Sequence, residues 1–294
     1  MTSSYPTDTE SATPDGGYRR PRFARLLLVL AALGVAGLAW GYAEATSAPV
    51  VRRARVVLAR WPVGSAPITA ALISDIHVAG PDMPPSRVAE IVGRVNALAP
   101  DVVLIAGDFL SEKAAATRHY SMAEAIAPFG RLRPRLGTYA VLGNHDHWDD
   151  PEGARAALRK AGVRLLSNDA APVGPIVVGG IDDEFTRHDD LPGTLARMAR
   201  YGGPAVLLSH GPDPFAKLPA GARLMLAGHT HCGQVAPWPF GPIVTQSRYG
   251  RRYACGVVRE RGNTLIVTAG LGTSGLPLRI GAPPDLWLLT LRGR

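Results

Sequence analysis

Five short polar segments carry side chains able to hold divalent cations: Asp75-Ile76-His77, Gly107-Asp108, Gly143-Asn144-His145-Asp146, His210 and Gly228-His229-Thr230-His231. Carboxylate, carboxamide and imidazole are the donors that suit divalent metals of intermediate hardness. Asp75 and His77 lie two residues apart, so in extended backbone they share a face and can reach one ion. His229 and His231 repeat that spacing, although a turn there would divide them between two ions. Asp108 is the candidate bridge, since one carboxylate can span two ions about 3.5–4 Å apart. Asn144 supplies a neutral carbonyl oxygen and keeps the charge of the set below that of a third aspartate. His145 adjoins it and can protonate a leaving oxygen, with Asp146 orienting its imidazole. The chemistry expected of such a set is two-metal hydrolysis.

Each residue also has a plainer reading. A single aspartate after a strand more often caps a turn, and a single histidine such as His210 more often makes a structural hydrogen bond. The order of the segments outweighs this, because five of the eight histidines fall within them. His119, His147 and His188 lack supporting spacing and are expected at the surface or behind the ligands. Asp182-Asp183-Glu184 reads as a loop acid cluster that could orient a ligand or substrate. With two cysteines the chain is no disulfide scaffold. Cys232 reads first as a small packed residue, with metal ligation or a bridge to Cys255 as alternatives.

These side chains need a scaffold, and the hydrophobic pattern outlines one. Apolar strand-like runs cover residues 68–74, 101–106, 138–142, 176–180, 205–209 and 223–227. Helical patterns cover 86–98, 121–129, 151–161 and 191–201, with Ser86 and Asp150 as candidate caps and Pro151 in a first turn. Strands are expected again at 254–259, 264–268 and 286–291. The alternation implies an α/β layered fold with one catalytic domain over residues 68–294. Each donor segment directly follows a strand-like run, where ligand sites of open α/β sheets form. The Pro- and Gly-rich stretch 237–250 reads as a loop beside the site.

The chain of 294 residues is 46% hydrophobic and 19% charged, which excludes wholesale disorder. Its net charge of +8 is dispersed: residues 1–60 alone hold eight arginines against four acids. Arg248, Arg251 and Arg252 are the one notable basic cluster, and no basic stripe with interleaved aromatics exists, so nucleic acid is not an expected partner. Residues 1–25 form a basic N-terminal segment, whose first 18 residues are expected to be disordered. Residues 26–43 are apolar enough for a transmembrane helix or signal segment, flanked by arginines and by Trp40 and Tyr42. Residues 44–67 read as a linker and entry to the domain. The expected location is the cell membrane, with one N-terminal pass and an extracytoplasmic catalytic domain. Arg19-Arg20 and Ala43-Glu44-Ala45 also allow export and cleavage.

The five segments together resemble the calcineurin-like metallophosphoesterase superfamily, whose pattern is D-x-H, G-D, G-N-H-D/E, H and G-H-x-H. The resemblance runs from about residue 68 to residue 291 and implies a four-layer αββα sandwich. It implies that Asp75, His77, Asp108 and His231 hold one metal and that Asp108, Asn144, His210 and His229 hold the second. His145, backed by Asp146, would stabilise the transition state or protonate the leaving group, after attack by a metal-bridging hydroxide. The ions would be Mn²⁺, Fe or Zn²⁺. The sequence Gly228-His229-Thr230-His231-Cys232-Gly233-Gln234 and the tail from Gly270 through Leu278-Arg279 to Pro283-Pro284 are similar to a membrane-associated bacterial subgroup. That subgroup holds YkuE-like phosphodiesterases and hydrolases of a lipid-linked pyrophosphate, UDP-2,3-diacylglucosamine. Cys232 stands where Gly is frequent and Asp285 where Glu is common. The implied substrate is a phosphate ester near the membrane, lipid-linked in one reading and a soluble nucleotide or phosphoprotein in the other. A non-catalytic metal-binding scaffold is the weaker alternative.

Overall fold

The computed structural model describes Met1 and residues 22–113, 115–221 and 223–294. The stretch expected to be disordered and the Arg19-Arg20 pair lie outside the described residues, apart from Met1. The chain divides into two units, Met1–Leu38 and Ala39–Arg294. The first holds most of helix α1 (Arg22–Ala45), which contains an apolar span long enough to cross a membrane. Its leucines and valines are exposed, as a lipid-facing helix requires and a core helix does not.

The second unit runs through β1 (Val50–Val57), β2 (Ile68–Ile73), α2 (Pro85–Ala97), β3 (Val102–Ala106), α3 (Met122–Ile126), β4 (Thr138–Val141), α4 (Asn144–Asp149), α5 (Pro151–Lys160) and β5 (Arg164–Leu165). It continues through β6 (Asp169–Val173), β7 (Ile176–Gly180), α6 (Leu191–Tyr201), β8 (Ala205–Leu208), β9 (Leu224–Ala227), β10 (Gly256–Glu260), β11 (Asn263–Val267) and β12 (Asp285–Arg292). Two six-stranded sheets result, ordered β1-β12-β2-β3-β4-β5 and β10-β11-β9-β8-β7-β6. Strands β2 to β5 are mutually parallel, as are β7, β8, β9 and β11.

The period of two along each strand divides its side chains between layers. Ala70 and Leu72 of β2 join Leu104 and Val141 against Val178, Val206, Leu226 and Ile266 of the other sheet. Ala71 and Ile73 face outward onto Val88, Ile91 and Val95 of α2. On the far side, Leu207, Met225 and Val267 pack on Leu191 and Met198 of α6. The layers are therefore helix, sheet, sheet, helix, the sandwich that the resemblance implied. Burying each such Leu or Ile contributes roughly 1.5–3 kcal/mol.

Several elements depart from the sequence pattern for local reasons. Asp150 caps α5 by accepting the Gly153 amide, as expected. Ser86 does not cap α2, because Pro84 and Pro85 occupy the N-cap and first helical position. The expected helix 121–129 stops as α at Ile126 and tightens into a 3₁₀ turn, Ala127–Arg131, at Pro128. Ser121 closes its start through a reciprocal capping box with Glu124. Residues 50–57, read as linker, form β1, and 169–173 form β6 despite Pro172. Both are edge elements of their sheets, where polar residues and proline are tolerated. Strand β1 pairs in parallel with β12 over its full length, and Arg52 reaches the buried Asp285 at 2.5 Å.

Two truncations test the role of β1. A chain starting at Ala48 keeps the strand, whereas one starting at Pro67 strips β12 of a neighbour and Asp285 of its arginine. Losing such a partner costs about 3 kcal/mol, so the shorter chain should melt roughly 6–12 °C lower in thermal denaturation. Equal midpoints would show that β1 is dispensable.

Candidate metal centre

The donor residues sit on the loops that leave β2, β3, β4, β8 and β9. Asp75 and His77 follow β2, Asp108 follows β3, and Asn144 opens α4 after β4. His210 follows β8, and His229 and His231 follow β9. Five of them hold left-handed backbone: Asp75 at φ 50°, His77 at 49°, Asp108 at 56°, His229 at 69° and His231 at 50°. Such a conformation in a non-glycine residue costs about 1–3 kcal/mol and persists only when its surroundings over-determine it. Here they do. The amides of Asp75, Ile76 and His77 donate to Gly107 and Asp108 carbonyls at 2.8–3.0 Å, and Gly272 donates to the Asp75 carbonyl at 2.7 Å.

The side chains converge in two groups that share Asp108. His77 Nε2 lies 3.0 Å from His231 Nε2 and 3.4 Å from Asp108 Oδ2, and His231 Nε2 lies 3.4 Å from Asp75 Oδ1. In the other group His210 Nε2 lies 3.2 Å from Asp108 Oδ2, 3.0 Å from Asn144 Oδ1 and 3.0 Å from His229 Nδ1. His229 and His231 therefore belong to different groups, the division that a turn between them allows. His145 joins His77 and Asp108 in a third triad of donor atoms within 4.8 Å of one another. All seven proposed ligands are buried, and His145 is half-buried.

The electrostatics suit cations. Burial pushes the Asp75 carboxyl up to about 6, with the Asp108 charge adding to the rise. Burial works the same way on Asp108, but the charge and hydrogen bond of His210 outweigh it and hold Asp108 well below the usual carboxylate range. Burial drives His229 down to about 3 and lowers His77 and His231 as well, which leaves these rings neutral. Neutral imidazole is the form that offers a lone pair to a metal. His210 moves the other way: although burial disfavours its charge, Asp108 raises it well above the ordinary value. Its Nδ1 donates to the Ala106 carbonyl at 2.7 Å, so Nε2 is the atom turned to the cluster. The imidazole nitrogens of His77 and His231, and of His210 and His229, face each other at 3.0 Å, so each pair presents ring nitrogens toward a common point. His77 Nδ1, His145 Nδ1 and His229 Nε2 are buried without a protein partner among the described residues. The residues present fit two divalent ions.

Supporting residues lie behind the donors. Asp146 was expected to orient the His145 ring; instead it accepts the amides of Asp108, Phe109 and Gly143 at 2.8–2.9 Å. It thus ties the β3 and β4 loops together, as the third residue of a helix turn naturally does for the cap amide. Burial, with the Asp108 charge, pushes its carboxyl to about 7. Arg279, which belongs to the tail motif, is fully buried. Its guanidinium donates to the carbonyls of Ala269, Gly272 and Ala282 and lies 3.3 Å from His231 Nδ1. Lys113 and Asp82 form a buried ion pair at 2.8 Å, joined by Thr273 Oγ1 at 2.7 Å. No spacing rule finds the Asp82–Lys113–Thr273 group, because its members lie 31 and 191 residues from Asp82.

The remaining candidates separate. His119 and His188 are exposed, while His147 Nε2 contacts Asp182 Oδ1 at 2.8 Å and belongs to none of the three donor triads. Asp182 also accepts from Ser167, so it serves loop structure rather than the donors. Cys232 is packed against Ala269 and Ala282, as expected, and is also bonded to Cys255, which removes it as a ligand. The bridge pins the chain directly after His231. A cleft of about 580 Å³ opens onto His77, Asp108, Asn144, His145, His229 and His231, with Trp148 and Phe185 in its wall.

Two glycines give a direct test of the packing. A Cβ on Gly143 would collide with Asp108 Oδ1 and His210 Nδ1, and one on Gly228 with Ser74 Oγ and Asp75 Oδ2. Gly143→Ala and Gly228→Ala should each lower bound metal per chain, measured by elemental analysis, by at least about tenfold in affinity. Wild-type metal content in either folded variant would show that the donor loops tolerate displacement.

The chain is similar to known proteins. Residues 68–233 match the family model for calcineurin-like phosphoesterases. The chain is 32% identical over 302 residues to a transmembrane protein with metallophosphoesterase domain from Danio rerio, covering 96% of this chain and 65% of that one. A protein of the same description from Bos taurus is 31% identical, covering 93% of this chain and 62% of that one. The chain therefore spans less than two thirds of these two relatives. The metallophosphoesterase YkuE of Bacillus subtilis, itself uncharacterized, is 29% identical over 213 residues, 69% of this chain and 71% of that one. With the motif blocks, the helix–sheet–sheet–helix layers and the matched segment in agreement, the chain belongs to the calcineurin-like phosphoesterase family.

Proposed function

We propose that this chain is a two-metal-dependent phosphodiesterase or pyrophosphatase acting on a phosphate ester at a membrane. The observation that carries the reading is the pair of donor groups sharing Asp108 at the floor of an open cleft. Asp75, His77, Asp108 and His231 would hold one divalent ion, and Asp108, Asn144, His210 and His229 the other. With both cysteines bonded, the donors are oxygen and imidazole only, which suits Mn²⁺, Fe or Zn²⁺. When bound, two such ions neutralise phosphoryl charge and lower the pKa of water.

The chain's own groups do the rest. His145 stands beside His77 and Asp108 at the cleft and would give a proton to the departing oxygen. Its backbone amide donates to Asp108 Oδ1 at 3.0 Å, which couples its position to the bridging carboxylate. Asp146 keeps those two loops in register and acts through position rather than by proton transfer. Trp148 packs edge-on against His145, and Phe185 lies tilted against His229, walling the site with apolar surface. Such walls limit water around the reacting group and strengthen charge interactions within.

The apolar helix α1 supports membrane attachment, and the transmembrane relatives support it further. A disulfide beside the site favours an extracytoplasmic position for the catalytic unit, where thiols oxidise. A lipid-linked phosphate is the substrate favoured by this location. The exposed Trp148 and Phe185 rings favour a second reading, in which a base of a soluble nucleotide stacks at the rim.

The purified full chain should hydrolyse bis(p-nitrophenyl) phosphate, lose that activity on chelation and regain it with Mn²⁺. His145→Ala should lower kcat by about 10²–10⁴-fold with metal retained, and Asp108→Asn should lose metal as well as turnover. A folded Asp108→Asn protein with wild-type turnover would overturn the assignment. Comparing a lipid-linked pyrophosphate with free nucleotides separates the two substrate readings.

A further inference from the structure

A group of exposed apolar side chains of the catalytic unit lies on a loop the mechanism does not use. In the loop 237–244, Trp238 is 92% exposed, Phe240 70%, Ile243 64% and Val244 60%, and Leu276 nearby is 59% exposed. Soluble surfaces scatter such residues singly, and a contiguous group marks a contact. Gln234 joins the two parts, donating to the carbonyls of Ser274 and Leu276 while accepting the Ser274 amide.

We infer that the loop 237–244, with Leu276 beside it, is a second membrane-contacting element that seats the mouth of the metal cleft at the lipid–water interface. Three observations support a bilayer as the occupant. First, the stem of the loop is fastened to the end of α1. Ala236 donates to the Ile280 carbonyl at 2.7 Å, Arg279 to the Gly41 carbonyl at 2.9 Å, and Gly281 to Glu44 Oε2 at 3.1 Å. Trp40, exposed on that same helical end, is a residue type that marks a headgroup region. A membrane entered by α1 therefore begins within a few residues of the loop's base.

Second, the loop's backbone is suited to a low-dielectric setting. Pro237, Pro239 and Pro242 have no N–H, while Phe240 and Gly241 donate to the Pro237 carbonyl and Ile243 to the Val235 carbonyl. Few donors are left to desolvate, the condition for irregular backbone to approach lipid. Third, the chemistry of the tip is interfacial: Trp and Phe at the apex, with the Arg251 guanidinium beside Gly241. Ile243, Val244 and Gly275 also line the cleft, so the base of the exposed loop is part of the wall around the metal donors. The inference depends on α1 entering a membrane and is independent of the metal chemistry.

The test uses the full chain in nanodiscs of phosphatidylcholine and phosphatidylglycerol. Cys232 and Cys255 are paired, so a single introduced cysteine takes a fluorophore selectively. Labels are placed by Trp238→Cys, Phe240→Cys, Val35→Cys in α1, and Tyr201→Cys at the end of α6. Lipids carrying a nitroxide should quench the labels at 238, 240 and 35 severalfold more than the label at 201, and aqueous iodide should do the reverse. Quenching at 35 but not at 238 or 240, with iodide reaching both loop labels, overturns the inference and leaves the anchor intact. No quenching at 35 overturns the anchor and the inference together. Loop labels shielded from both quenchers mean that protein, such as a second copy of the chain, covers the patch, which also overturns it.

Discussion

Two carboxylates, Asp75 and Asp108, are buried together, each within 4 Å of His77 Nε2. Much of the structure around them serves to make that tolerable. Burying like charges in a low-dielectric interior is costly, and the cost is met only by cations or protons at close range. The imidazoles that answer these carboxylates come largely from the other sheet. Asp75, His77, Asp108 and Asn144 stand at the ends of β2, β3 and β4, while His210, His229 and His231 stand at the ends of β8 and β9. Neither sheet alone holds a complete donor set. The apolar layer between the sheets is thus a precondition of the chemistry as well as the main source of stability.

Holding the donors in place requires backbone that is unfavourable residue by residue. Five donors in left-handed conformation cannot be stabilised by their own loops, and the supports lie elsewhere. Asp146 binds three amides across two loops, Arg279 gathers carbonyls behind His231, and the Cys232–Cys255 bond restrains the chain directly after that histidine. These contacts explain why the tail beyond β11, distant in sequence from the first motif, is part of the same site. Leu271 and Gly272 donate to the backbone of Ser74 and Asp75, and Asp285 closes the tail against Ala269. Strand β12 then inserts between β1 and β2, so chain entry, tail and first donor segment form one packed unit.

The same tail links the site to the membrane end of the chain. Arg279 reaches His231 through its side chain and Gly41 through its backbone amide. One residue therefore connects the donor cluster with the last turns of α1. The end of the apolar helix and the tail behind His231 thus share one hydrogen-bonded framework.

The donor set was legible in the sequence because metal chemistry restricts residue types so strongly. Asp, His and Asn placed after apolar runs, in this one order, suit little chemistry besides cation binding, and the layered α/β alternation follows from the period of the same runs. What stayed hidden depends on distance. Strand β1 was illegible because VVRRARVV carries charges and becomes a strand only when β12 offers an edge. The roles of Asp82 and Lys113 were hidden because no local pattern marks a residue whose partners lie far along the chain, and that of Arg279 because its neighbouring carbonyls turn toward it only in the folded tail. Asp146 was misplaced for a related reason: adjacency in sequence suggested the His145 ring, but the helical turn of α4 directs its carboxylate back onto the β3 and β4 loops. The sequence by itself determined which atoms can bind metal and which segments are apolar enough to be strands or enter a membrane, because both follow from side-chain chemistry. Only the tertiary structure decided that His229 and His231 fall in different donor groups, that Cys232 is bonded, and what supports each donor. Those outcomes depend on backbone dihedrals and contacts that exist only once the two sheets are packed together.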